Sequence, residues 1–288
     1  MPAAPSPDRL AAFAPAGVGL ALFAAITQIR MDGPWSDAAL IAAAALPALL
    51  LLALGVRAGS RREQPHDAVT VLLVAGLVLA AAAIGRLGDA LAGDDFVGHG
   101  GTLTWMLAAF TALAGVCTRR TGSSACLLLT ALAAVGLLLE FVNWAFDTEA
   151  LDTFRALLAV SFAVLFVAGL VVGGRPGTVL VGAAGVTVLA ATYVTGAAFL
   201  FASADVPWGW ELVTLLEGLA LAVYAVQRLE PGPGYLAFSI LLSFAATAAL
   251  GGSQDGEPPH TLVGWPLALA IGTVAAALPA VRRTMRRI

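Results

Sequence analysis

Residues 36–56 read SDAALIAAAALPALLLLALGV. Within that stretch, Ala42–Ala45 and Leu49–Leu52 are unbroken apolar runs. A strand of a membrane barrel alternates lipid-facing and lumen-facing side chains over about ten positions. These runs do not alternate, so the segment reads as a helix, whose backbone polar groups are satisfied within the segment itself. A helix needs about 20 apolar residues to cross the hydrocarbon, and the stretch is long enough. It is the template for the rest of the chain.

Ten segments of this kind follow one another: 10–29, 36–56, 68–87, 101–118, 124–146, 154–173, 178–202, 208–227, 235–251 and 261–281. Turn-formers and charges separate them, among them Gly33-Pro34, the run Arg61 to Pro65, Gly173 to Gly177, the run Pro231 to Gly234 and Glu257-Pro258-Pro259. The first, Leu10 to Ile29, is long for the apolar region of a signal peptide and lacks a clear cleavage site, so it reads as a retained span. Composition agrees with this reading. Of 288 residues, 60% are hydrophobic and 11% charged, against about 45–50% and 25% in soluble domains. That scarcity of charge excludes an ordinary soluble enzyme, a disordered chain and a nucleic-acid-binding chain, which need charged surface to stay dissolved or to neutralise phosphates. The expectation is an all-α polytopic transmembrane bundle, a single integral membrane domain over residues 1–288.

Charge placement orients the spans. All fifteen basic residues are arginine. With the N-terminus cytoplasmic, ten crossings put Arg9, Arg57, Arg61, Arg62, Arg119, Arg120, Arg175, Arg228, Arg282, Arg283, Arg286 and Arg287 inside. Only Arg30, Arg86 and Arg155 fall at or near the outer face, as the positive-inside rule requires. The outer segments are acidic, with Asp89, Asp94, Asp95, Asp147, Glu149, Asp152, Asp205, Asp255 and Glu257. The expected topology has both termini cytoplasmic and the terminal arginines resting on anionic lipid headgroups. Ten spans also divide as five plus five, 10–146 and 154–281. A duplicate of an odd-numbered unit inserts upside down, which is how many transporters are built. No residue-level identity between the halves supports that division.

Several side chains are ones a lipid-packed helix would not choose. Glu217 lies nine residues past Trp208, about 14 Å at 1.5 Å per residue and so near the bilayer middle. A carboxylate there is costly unless it is protonated, paired or wetted. Trp210, Thr214, Glu217 and Tyr224 share a helix face and read as a polar-aromatic stripe turned toward the bundle interior. Its function would be proton or cation handling, or contact with a substrate; the plainer alternative is a glutamate that locks helices together. Gly136, Glu140, Asn143 and Asp147 line one face near the outer end of the fifth span, an outward-opening vestibule in the functional reading. Arg86 lies at similar depth, with Asp89 one turn on, and an Arg86–Glu140 ion pair would explain how both charges are tolerated. Glu211 reads as a boundary residue, and Asp152 with Arg155 as a local ion pair in the headgroup region.

Other motifs carry little chemistry. His66, His99 and His260 are loop residues; imidazoles and carboxylates of the outer loops would suit zinc only if those loops met, and no metal or cofactor is expected. Cys117 and Cys126 read as free thiols. No phosphate-binding glycine loop and no H-E-x-x-H is present, and no nucleophile lies at recognisable spacing from a histidine.

Gly209-Trp210-Glu211-Leu212-Val213, then Glu230-Pro231-Gly232-Pro233-Gly234-Tyr235-Leu236, then Val263-Gly264-Trp265-Pro266 resemble pieces of uncharacterised multi-spanning membrane proteins of high-GC actinobacteria. That resemblance covers about 60 residues of the 288 and implies a source and a location, with no assigned activity. More distantly, the size, ten spans and inside termini look like the drug/metabolite exporter superfamily, a likeness of architecture that does not carry function. The functions left open are a secondary transporter or exporter of a small substrate, a non-catalytic membrane subunit or scaffold bound to a membrane-protein partner, an intramembrane lipid-modifying enzyme, and a channel. Membrane lipids are partners in each case, and nucleic acid in none.

Overall fold

The computed structural model describes residues 36–59, 67–92, 100–147, 151–202 and 208–251, with Pro15, Gly19, Leu22, Phe23 and Gly272 as isolated positions. Every element in it is helical: α1 Asp37–Gly59, α2 Asp67–Ala92, α3 Gly100–Thr121, α4 Ser124–Phe146, α5 Leu151–Val172, α6 Gly174–Ala202, α7 Trp208–Arg228 and α8 Pro231–Gly251. These match the second to ninth predicted spans. The first and tenth, 10–29 and 261–281, lie outside the described residues apart from those isolated positions. Counting described residues alone, six helices, α1 to α6, are long and apolar enough to cross a membrane. The chain is thus an all-α polytopic membrane protein. Large apolar side chains such as Leu46, Leu49, Leu50, Val164 and Val171 remain exposed, which lipid contact accounts for.

Helix boundaries follow local chemistry. α1 continues through Pro47, a residue that transmembrane helices tolerate because neighbouring groups re-satisfy the freed carbonyl. α3 and α4 are joined by Gly122, at φ 64°, and Ser123. The Ser123 hydroxyl caps α4 by accepting from the Cys126 amide at 3.5 Å. Between α5 and α6 the turn is tighter still. Gly173 and Gly174 adopt φ 62° and 56°, a left-handed pair that glycine takes without Cβ strain. α6 begins four residues before the predicted Thr178, because Pro176 fits a first helical turn, where its missing N–H is not needed.

The chain divides into two compact units, Met1–Thr148 and Glu149–Ile288. In the first, α1 packs along α2 and α3 along α4, and α2 joins the pairs through α3. The α1–α2 seam is reciprocal: Leu73 fills the space over Gly55, and Leu52 that over Gly76. In the second unit α5 packs along α6 and α7 along α8, with α6 also against α8. Here the α5–α6 approach is backbone on backbone. A Cβ on Gly169 would stand 2.8 Å from the Gly177 carbonyl oxygen, a small-residue crossing of the kind that lets membrane helices come close. The second core gathers Phe162, Val181, Ala184, Val188, Leu221, Tyr224 and Ile240.

Candidate functional site in the second unit

Glu217 is buried, 8% exposed, halfway along α7. Among the described residues no hydrogen-bond donor and no cation meets its carboxylate. The same helix face carries the two groups that tie α7 to α5 and α6. Toward the start of α7, the Trp210 indole N–H donates to Asp152 Oδ1 of α5 at 3.1 Å. Two turns beyond Glu217, the Tyr224 ring meets Phe166 of α5 edge-on at 6.1 Å. The Tyr224 hydroxyl lies 3.3 Å from that of Thr178 in α6. Thr214 sits on the stripe, half-buried.

These ties fix a register. Trp210 and Asp152 are 58 positions apart, and so are Tyr224 and Phe166, so α5 and α7 run parallel and in step. Position 159 is therefore the level of Glu217 on α5. Helical spacing puts Ala159 on the same face as Asp152, Arg155 and Phe166, so it is the α5 residue of that face at the level of the carboxylate. Its methyl group offers no hydrogen bond. Phe162, stacked on Phe166 at 5.3 Å, lies one turn toward the Tyr224 end.

Arg155 lies one turn from Ala159 toward the Trp210 end. Its Nη1 donates to Asp152 Oδ1 at 3.0 Å, the same oxygen that takes the Trp210 N–H. The pair is the expected local one, but its setting differs from a headgroup pair: the Arg155 side chain is 4% exposed and that of Asp152 is 67% exposed. Sequence spacing shows an i,i+3 pair; it does not show that packed helices cover the guanidinium. Phe166 and Thr178 carry no signal in the sequence either, because an apolar ring and a helical threonine mean nothing until Tyr224 is placed against them.

Glu140 and Asn143 belong to the first unit, half-buried on α4. Asp147, in line with them, ends that helix in a left-handed conformation. The predicted Arg86–Glu140 ion pair is not formed: Arg86 Nη1 meets Asp89 Oδ2 at 3.5 Å in its own helix. Equal depth does not decide the pairing, since Asp89 is one turn away on the same face and costs no reorientation. Both partners are partly exposed, so the bridge contributes at most about 1 kcal/mol. R86A and E140Q should accordingly each leave the unfolding free energy within about 1 kcal/mol of wild type, checked by thermal unfolding in detergent. Loss of either protein from the membrane would point to a pairing that the structure does not show.

Cys117 and Cys126 are free and buried. Among the described residues no group of His, Cys, Asp and Glu could hold a metal ion; His66, His99 and His260 lie outside them. The chain is a polytopic helical membrane protein in which, among the described residues, Glu217 is the buried carboxylate. No family model, curated protein or solved structure matches the chain.

Proposed function

We propose that this chain is a secondary carrier for a small substrate, in which Glu217 takes up and releases a proton as the substrate moves. In this reading the chain crosses a bacterial plasma membrane ten times with both ends cytoplasmic, and its two units of five spans form an inverted repeat. The observation that carries the reading is Glu217 itself, buried halfway along α7 with no hydrogen-bond donor among the described residues. A structural glutamate is retained because it ties helices together, and this one holds nothing that the structure describes. A charge at membrane depth is costly and marks an ion or proton pathway. The Trp210 and Tyr224 ties at either end of the stripe give that pathway two boundaries.

The test uses proteoliposomes with a trapped pH-sensitive dye, an imposed pH gradient and a panel of small solutes supplied on one side. Wild type should move protons faster in the presence of at least one solute. E217Q, which fills the same volume but cannot ionise, should slow that movement about a hundredfold, the usual worth of a positioned proton-transfer group. E217D should restore part of it. Wild-type proton movement by E217Q would remove the reading.

A further inference from the structure

Resting on that reading of Glu217, we propose that Arg155 is the counter-ion of Glu217 when the carboxylate is ionised, and that its shift from Asp152 to Glu217 opens the Trp210–Asp152 tie. Loss of a proton at mid-depth is thereby coupled to opening at one end of the α5–α7 gap.

Three observations lead there. The first is the shared register, which puts Ala159 at the level of Glu217 and leaves Arg155 one turn away, about 6 Å along the axis at 1.5 Å per residue. That is within the swing of an arginine side chain, and the α5 residue at the level of the carboxylate carries only a methyl group. The second is burial. Asp152 is solvent-facing, whereas the guanidinium it holds is not, so the cation already reaches inward from its partner. The third is that Asp152 Oδ1 accepts from both Arg155 and Trp210. Removing the guanidinium leaves an exposed aspartate that water solvates, and the indole then has only a mobile, hydrated acceptor. Arg155 makes a further contact besides Asp152, so the shift is an exchange of partners and not the capture of an idle cation.

The described residues of the other elements of this unit supply no competing charge. Among their described residues, α8 carries no ionisable group but Tyr235, and α6 has only Arg175 at its far end and Tyr193, with both tyrosines exposed. On α7 itself Tyr224 is engaged by Thr178, Arg228 lies at the opposite end, and the Glu211 side chain is outside the described set. An ionised carboxylate in an apolar setting must be paired or hydrogen-bonded. Arg155 is the cation placed to do it, and a charge-assisted bond to a guanidinium is the strong form of that pairing. When Glu217 is protonated the demand vanishes and Arg155 returns to Asp152, the arrangement seen here.

The Trp210 indole N–H resonance of the full chain in nanodiscs reads the tie directly, and W210F assigns it. In wild type the resonance should move as the buffer is taken from acid to alkaline, toward the position it holds in D152A, where the tie is absent. E217Q and R155Q should each hold one position throughout, and R155K should restore the movement. A wild-type resonance that does not move, or one that moves identically in R155Q, overturns the exchange. If R155Q fails to fold, E217Q carries the same comparison alone, and movement persisting in E217Q overturns the proposal. The carrier reading fails by a different result, wild-type proton movement in E217Q vesicles, so the two are separable.

Discussion

Replacing Gly169 with valine should abolish the folded protein. A Cβ at position 169 would stand 2.7 Å from Val181 Cγ2, 2.8 Å from the Gly177 carbonyl oxygen and 3.1 Å from the Val181 amide nitrogen. Two of those three atoms are backbone and cannot rotate aside. From the other helix, a Cβ on Gly177 would run into the Gly169 carbonyl. Forcing methyl groups into a filled interface costs about 1–3 kcal/mol where side chains can yield, and more where they cannot. The crossing lies beside the Gly173 turn, so separating the helices there would also unseat the α5–α6 pair from the start of its seam. Gly85 and Gly182 provide the contrast, since an added Cβ would meet nothing within 4 Å at either. G85A and G182A should be neutral or stabilising by up to about 1 kcal/mol, the helix-propensity gain over glycine. Thermal unfolding and monodispersity on size exclusion separate these outcomes. A G169V protein that elutes and melts like wild type would show that the close approach of α5 and α6 is not needed.

At Glu217 the expected stability effect has the opposite sign. Glu217→Leu should raise the unfolding free energy by about 1–3 kcal/mol, the cost of a buried polar group that finds no compensating hydrogen bond, while abolishing proton movement. Leucine fills similar volume, and Leu221 on the same face is already buried without exposure. A gain in stability with loss of function identifies a residue kept against the interests of the fold, the trade-off usual at functional sites. The reverse result, a less stable E217L, would make Glu217 a tie between helices and favour a scaffold. Thermal unfolding of purified E217L beside E217Q and wild type decides it.

The placement of these residues shows where sequence reasoning reaches and where it stops. The Trp210–Glu217–Tyr224 face is readable because helical periodicity is a property of one helix. The i,i+3 pairing of Asp152 with Arg155 is readable for the same reason. Depth alone assigns Arg86 to Glu140, and depth does not specify azimuth; Asp89 is nearer on the face that Arg86 actually presents. Spacing leaves Arg155 in the headgroup region, because its burial depends on helices that reach α5 only in the folded chain. Helix starts are also less legible than helix cores: glycine and proline at 173–177 suggest a linker, yet four of those five residues are helical, since a first turn accommodates both.

That the chain is helical and membrane-embedded is legible segment by segment, because the length and apolarity of a segment settle its transfer into lipid without reference to any other segment. The same reading puts one carboxylate midway along a polar-aromatic stripe. What that stripe meets emerges only on packing: Asp152 of α5 at Trp210, Arg155 buried while Asp152 stays exposed, and Tyr224 closed against Phe166 and Thr178. The physical reason is that burial and pairing arise from the relative rotation and register of packed helices. Those are set by many small contacts across a seam, such as Gly169 on Gly177, and no single segment encodes them.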